Sequence, residues 1–119
     1  MYIFLEYKYI SLFLQTNKKY KPLIAFYTMK KSIRLYITAN VQEIFFRMFI
    51  KEHAERNNIK GFTRNLEDGR IEIFAEGSIE EVNKMIELCK KGPKHSQIKN
   101  VQVKPEKFQD FKTFKVLHI

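Results

Sequence analysis

The chain has 119 residues, 45% hydrophobic and 29% charged, with a formal net charge of +9. That length suits one hydrophobic core and excludes two ordinary domains, while the composition excludes a disordered or fibrous chain. The lone cysteine, Cys89, excludes an internal disulfide and makes a reducing cytoplasm the simplest compartment; His53, His95 and His118 stand at no metal-ligand spacing, so neither a metal nor a cofactor is expected.

The charge is unevenly spread. Residues 1–31 carry six Lys and one Glu, so more than half of the excess precedes residue 32. In this stretch the uncharged runs Tyr9–Asn17 and Pro22–Met29 fall short of the ~20 residues that span a membrane. Glu6 and Lys8 interrupt the start, and no small-residue cleavage site follows, which argues against a secretory signal. Aromatic and basic residues alternate from Tyr2 to Lys21, as on a helix lying at a membrane surface; the plainer alternative is an extension packed loosely on the domain or disordered. Met29-Lys30-Lys31 looks like a translation start, so residues 1–31 are set apart as an unassigned extension and residues 32–119 as the domain.

From Ser32, Ile33, Leu35 and Ile37 alternate with Arg34, Tyr36 and Thr38, the period of a half-buried strand. Phe46, Phe49, Ile50, His53 and Ala54 then recur at helical spacing, predicting a helix that ends near Asn57-Asn58. Lys60–Leu66 and Arg70–Glu76 flank Glu67-Asp68-Gly69, a tight-turn sequence, and form a predicted hairpin. Ser78, three residues before Glu81, has the spacing of a capping box; Val82, Met85, Ile86 and Cys89 follow on one helical face until Gly92-Pro93. Ile98, Val101 and Val103 predict a further strand, and Phe114, Val116 and His118 a short last one. The order β-α-β-β-α-β predicts an α+β, ferredoxin-like sandwich: an antiparallel sheet with two helices on one face. That fold hosts enzymes, metal carriers and RNA binders alike.

Between the first strand and first helix, the turn from Ala39 to Arg47 aims backbone N–H groups at one point, which attracts anions. Arg47, in the first helical turn, carries a planar fork suited to phosphoryl oxygens. Taken alone, Arg47 reads more simply as a solvated helix residue, and Asn65 as a turn residue.

Val41-Gln42-x-x-x-Phe46-Arg47 resembles the acylphosphatase signature in which Val-Gln-Gly-Val precedes any residue and Phe-Arg. Gly61-Phe62-Thr63-Arg64-Asn65, followed by Gly69, Ile71 and Gly77, resembles the second signature of that family. The resemblance covers residues 32–119 and implies hydrolysis of an acyl phosphate to a carboxylate and inorganic phosphate. It implies Arg47 as the phosphate-binding arginine and Asn65 as the residue that positions the attacking water. The backbone of Gln42, Glu43, Ile44, Phe45, Phe46 and Arg47 is then the phosphate loop.

Three positions depart from the family pattern. Ala39 and Glu43 replace glycines, and Thr63 replaces a small apolar residue or cysteine. Glu43 puts a carboxylate beside the cradle; facing outward it weakens phosphate attraction, and facing inward it occupies the cradle itself. The competing reading is a catalytically weakened binding module for an anion, protein or nucleic acid. The nucleic-acid version draws on Lys84, Lys90, Lys91, Lys94, Lys99, Lys104 and Lys107 with Tyr36 and Phe74 on the open sheet face, but lacks the glycine and aromatic motif of RNA binders. A monomer acting on a small acyl phosphate, without nucleic acid or a transmembrane segment, is the expectation.

Overall fold

The computed structural model describes residues 29–118. The readings of residues 1–28, including a start at Met29 that would remove them, lie outside the described residues. Seven elements follow in order: β1 (Lys30–Asn40), α1 (Glu43–Arg56), β2 (Lys60–Asn65), β3 (Ile71–Ser78), α2 (Ile79–Lys91), β4 (Gln97–Glu106) and β5 (Phe114–Leu117). The sheet order is β4-β1-β3-β2-β5. β1 begins two residues ahead of the expected Ser32, because Lys30 and Lys31 continue the ladder opposite Ser78 and Gly77.

Period-two alternation sends Ile33, Leu35 and Ile37 of β1 and Ile71, Ile73 and Ala75 of β3 to one face, all at most 2% exposed. Phe46, Ile50 and Ala54 of α1 and Val82, Met85, Ile86 and Cys89 of α2 close over that face and complete the core. Removing a side chain as large as Phe46 from such a core costs about 3–5 kcal/mol. Burial pushes the Cys89 thiol up to about 12, so it stays protonated.

The local signals act as their chemistry requires. Leu66 N–H donates to Arg70 O at 2.8 Å across the hairpin, and Gly69 takes φ +90° in its turn. The Asp68 carboxylate accepts from Arg70 N–H and from Arg70 Nε, which holds it below the usual carboxylate range. Ser78 Oγ accepts from Glu81 N–H at 3.3 Å, capping α2, but the return bond of a capping box is not made. Glu81 instead pairs forward with Lys84 at 3.6 Å. At the far end of α2, Gly92 N–H closes the last turn on Leu88 O at φ +73°.

Four strands pair antiparallel, as the pattern predicts, and the fifth makes the sheet mixed: β5 lies parallel to β2, with Gly61 opposite Phe114 and Arg64 opposite Leu117. The chain reaches that edge by crossing the face without helices. Glu76, 1% exposed on that face, accepts from the backbone N–H of Gln109 (3.2 Å to each oxygen), Asp110 (3.0 Å) and Phe111 (3.4 Å). Phe111 thereby sits edge-on against Phe62 and Phe74, with ring centroids 5.9 and 5.2 Å away. On the same face the buried carboxylate of Glu72 bridges Arg34 and Arg64, and Arg34 also binds Glu106 at 2.9 Å. Such a half-buried network holds its geometry better than isolated surface pairs do.

Candidate active site

β1, β2 and β5 all point their C-terminal ends the same way, because β1 and β2 are both antiparallel to β3 while β5 is parallel to β2. At that end β1 stops at Asn40, Gln42 caps α1, Asn65 ends β2 and His118 follows β5. The topology thus brings Arg47 and Asn65 to one end of the sheet, although α1 and β2 are separate elements.

Gln42 makes no side-chain cap, so the first N–H groups of α1 receive no acceptor from it. The six-residue backbone cradle narrows, however. Phe46 N–H donates to Gln42 O at 3.0 Å, and Arg47 lies further inside the helix, where its amide is committed to the i−4 carbonyl. The amides left for an anion are those through Phe45, and Arg47 is the fifth helical residue, just beyond the expected first turn.

The side chains at this end leave two buried polar atoms without partners: Arg47 Nε, a donor, and Asn65 Oδ1, an acceptor. Burying such groups unpaired costs about 1–3 kcal/mol each, and both keep hydrogen-bonding capacity that nothing in the structure uses. The remaining contacts are specific. Asn65 Nδ2 donates to Glu43 Oε2 at 2.7 Å, and Arg47 Nη1 lies 3.4 Å from His118 Nδ1. A helix N-terminus, an arginine with a free face and an amide with a free oxygen together suit a phosphoryl group and a water beside it.

Glu43 therefore turns its carboxylate to Asn65, a third arrangement beside the outward and cradle-filling alternatives. Neither Glu43 nor Ala39 takes a positive φ, so both stand where the family has glycine without backbone strain. Ala39 instead falls at a register shift between β1 and β4. Thr63 is fully buried, and its Oγ1 has no hydrogen-bond partner.

From the sequence, His118 stands at no metal-ligand spacing and is part of a short strand, with no place in the site. Its place beside Arg47 follows from the parallel register of β5 on β2, which local periodicity does not encode. Among the described residues, no three His, Cys, Asp or Glu side chains gather as metal ligands. A cleft of about 260 Å³ lined by Lys30, Lys60, Glu76 and Lys112 lies at the opposite end of the sheet.

The aromatic platform considered for nucleic acid is covered. Phe74 is 1% exposed beneath Phe62 and Phe111, and Arg70 lies over the Tyr36 ring at 4.9 Å. Among the lysines invoked, Lys84 pairs with Glu80 and Glu81 and Lys90 with Glu87.

A sequence model of the acylphosphatase family matches residues 33–116, a span that holds every group of this site except His118. The chain belongs to the acylphosphatase family. An acylphosphatase of Rubrobacter xylanophilus is 40% identical over 76 residues, covering 64% of this chain and 69% of that protein. One from Syntrophus aciditrophicus is 35% identical over 91 residues, 76% of this chain and 95% of that protein. Among solved structures, the acylphosphatase of Bacillus subtilis superposes with a TM-score of 0.70 at 26% identity, covering 76% of this chain and all of the other. The family's ferredoxin-like α+β fold is thus the fold of this chain. No helix among the described residues is long and apolar enough to cross a membrane.

Proposed function

We propose that the domain hydrolyses acyl phosphates to a carboxylate and inorganic phosphate. The observation that carries this reading is the pair of unpartnered buried atoms, Arg47 Nε and Asn65 Oδ1, beside the open N-terminus of α1. In this reading Arg47 and the amides through Phe45 hold the phosphoryl oxygens and spread their charge as the transition state forms. Asn65 Oδ1 accepts a hydrogen bond from a water and turns its lone pair toward phosphorus. The water oxygen bonds to phosphorus as the P–O bond to the acyl carboxylate breaks, and the electron pair leaves with the carboxylate. A carboxylate leaving group needs no proton, and the water's own proton passes to a phosphoryl oxygen. Positioning and charge stabilisation thus supply most of the acceleration.

Every group in this scheme comes from one chain, so the reading extends to a monomer. With Cys89 as the sole thiol, it also extends to the cytoplasm.

The test is phosphate release from acetyl phosphate by the full chain and two variants. Arg47→Ala is expected to lower kcat/KM by about 10³, in the range seen on removing one preorganised donor, and Asn65→Ala, which removes the acceptor that positions the water, to lower kcat by about 10² or more. Variants within threefold of the parent chain would overturn the assignment.

A further inference from the structure

We propose that Glu43 is a positioning residue that fixes which way the Asn65 amide faces. This rests on the hydrolase reading of Asn65. The two ends of an amide are chemically opposite, Oδ1 accepting and Nδ2 donating, and rotation by half a turn about the last side-chain bond exchanges them. A carboxylate only accepts. With Glu43 Oε2 2.7 Å from Asn65, the Nδ2 end faces Glu43 and Oδ1 is turned to the other side, where it is buried and has no partner. The reversed amide would set oxygen against oxygen and leave the buried position occupied by a donor.

The orientation matters for the chemistry. A water that donates to Oδ1 keeps its lone pairs for phosphorus, whereas a water held by Nδ2–H spends a lone pair on that bond and is a poorer nucleophile. Glu43 begins α1 and Asn65 ends β2, so the contact also ties the anion-facing helix terminus to the strand that carries the water-holding amide. Arg47 is not drawn into this contact; its Nη1 lies instead 3.4 Å from His118 Nδ1. The carboxylate that stands where family members have glycine thus has two opposed effects. It orders Asn65, and it places a negative charge near the bound phosphoryl group.

These effects separate in kinetics. Glu43→Gly in the full chain removes both the acceptor and the charge. Its kcat on acetyl phosphate is expected to fall about tenfold, equivalent to about 1.4 kcal/mol of lost transition-state stabilisation, while inorganic phosphate inhibits at lower concentration. Glu43→Gln keeps an acceptor oxygen for Nδ2 without the charge, so kcat is expected within about twofold of the parent chain, with phosphate inhibition tightened as in the glycine variant. Adding Glu43→Gly to Asn65→Ala is expected to cost nothing further, because Glu43 acts through Asn65. An unimpaired kcat in Glu43→Gly, or independent losses that multiply in the double variant, would overturn this inference alone. A parent chain without turnover would overturn the hydrolase reading, and this inference with it.

Discussion

Replacing Glu76 by Ala removes the carboxylate that accepts the backbone N–H groups of the segment crossing between β4 and β5. Its carboxylate is 1% exposed and serves three consecutive backbone N–H groups, those of Gln109, Asp110 and Phe111, at 3.0 to 3.4 Å. A hydrogen bond to a charged group contributes about 1.5–3 kcal/mol. Three such bonds taken separately would overstate the loss, because residues 109–111 are exposed and their amides regain water once released. We expect Glu76→Ala to destabilise by about 3–4 kcal/mol, part of it from the apolar stem of Glu76 and from looser packing of Phe111 on Phe62 and Phe74. Glu76→Gln keeps one acceptor oxygen, so about 1–2 kcal/mol is expected. Urea unfolding followed by circular dichroism gives both values; for a domain of this size Glu76→Ala would lower Tm by roughly 12 °C or more. Glu55→Ala, which removes an exposed pair with Lys51 at 3.9 Å, serves as the control and is expected to change stability by less than about 0.5 kcal/mol. Faster amide hydrogen exchange confined to residues 109–111 would accompany the Glu76 loss. A cost below about 1 kcal/mol for Glu76→Ala would refute the reasoning, since water would then serve those amides as well as the carboxylate does.

Two glycines in the hairpin region separate space from backbone conformation. A Cβ on Gly61, at φ +140°, would lie 1.9 Å from Phe74 O, so Gly61→Ala forces β2 and β3 apart, and we expect a loss of about 3 kcal/mol or more by urea unfolding. Gly69, at φ +90°, has nothing within 4 Å of its Cβ position, so Gly69→Ala is expected to cost only about 1 kcal/mol; equal losses at the two sites would contradict the packing described. Cys89, fully buried with its thiol pushed up to about 12, is expected to resist iodoacetamide at pH 8 in the native protein and to react on unfolding. Labelling within minutes under native conditions would show that the core opens there.

Much of the fold is legible because each signal is local. Alternation in Ile33–Ile37 selects a strand, Asp68-Gly69 a turn, Ser78 a helix start and Gly92 a helix end, and each residue does in the structure what its chemistry requires. What escapes local reading depends on partners far along the chain. On β3, Glu76 has the alternation of a solvent-facing residue, yet it is buried because amides 33 to 35 positions later fold over it. The parallel pairing of β5 follows from that crossing, and with it the place of His118 beside Arg47.

The candidate site divides in the same way. Arg47 and Asn65 are legible through two motifs, since their residue types and spacing suffice to single them out. The contact of Glu43 with Asn65 is not, because it depends on which way one exposed side chain turns across 22 positions of sequence. The same holds for the extent of the amide cradle. It is set by where α1 closes its first hydrogen bond, from Phe46 to Gln42, and helix starts are poorly fixed by sequence when the cap residue makes no side-chain bond.

The measurement that bears most directly on Arg47 and Asn65 as a phosphoryl site follows the fate of oxygen during turnover. Acetyl phosphate is hydrolysed by the full chain in water enriched in oxygen-18, and both products are analysed by mass spectrometry. Attack on phosphorus held by Arg47, by a water held on Asn65, puts the label in inorganic phosphate and leaves the acetate unlabelled. Label in the acetate would show attack at the acyl carbon and contradict the site as described, as would the absence of turnover.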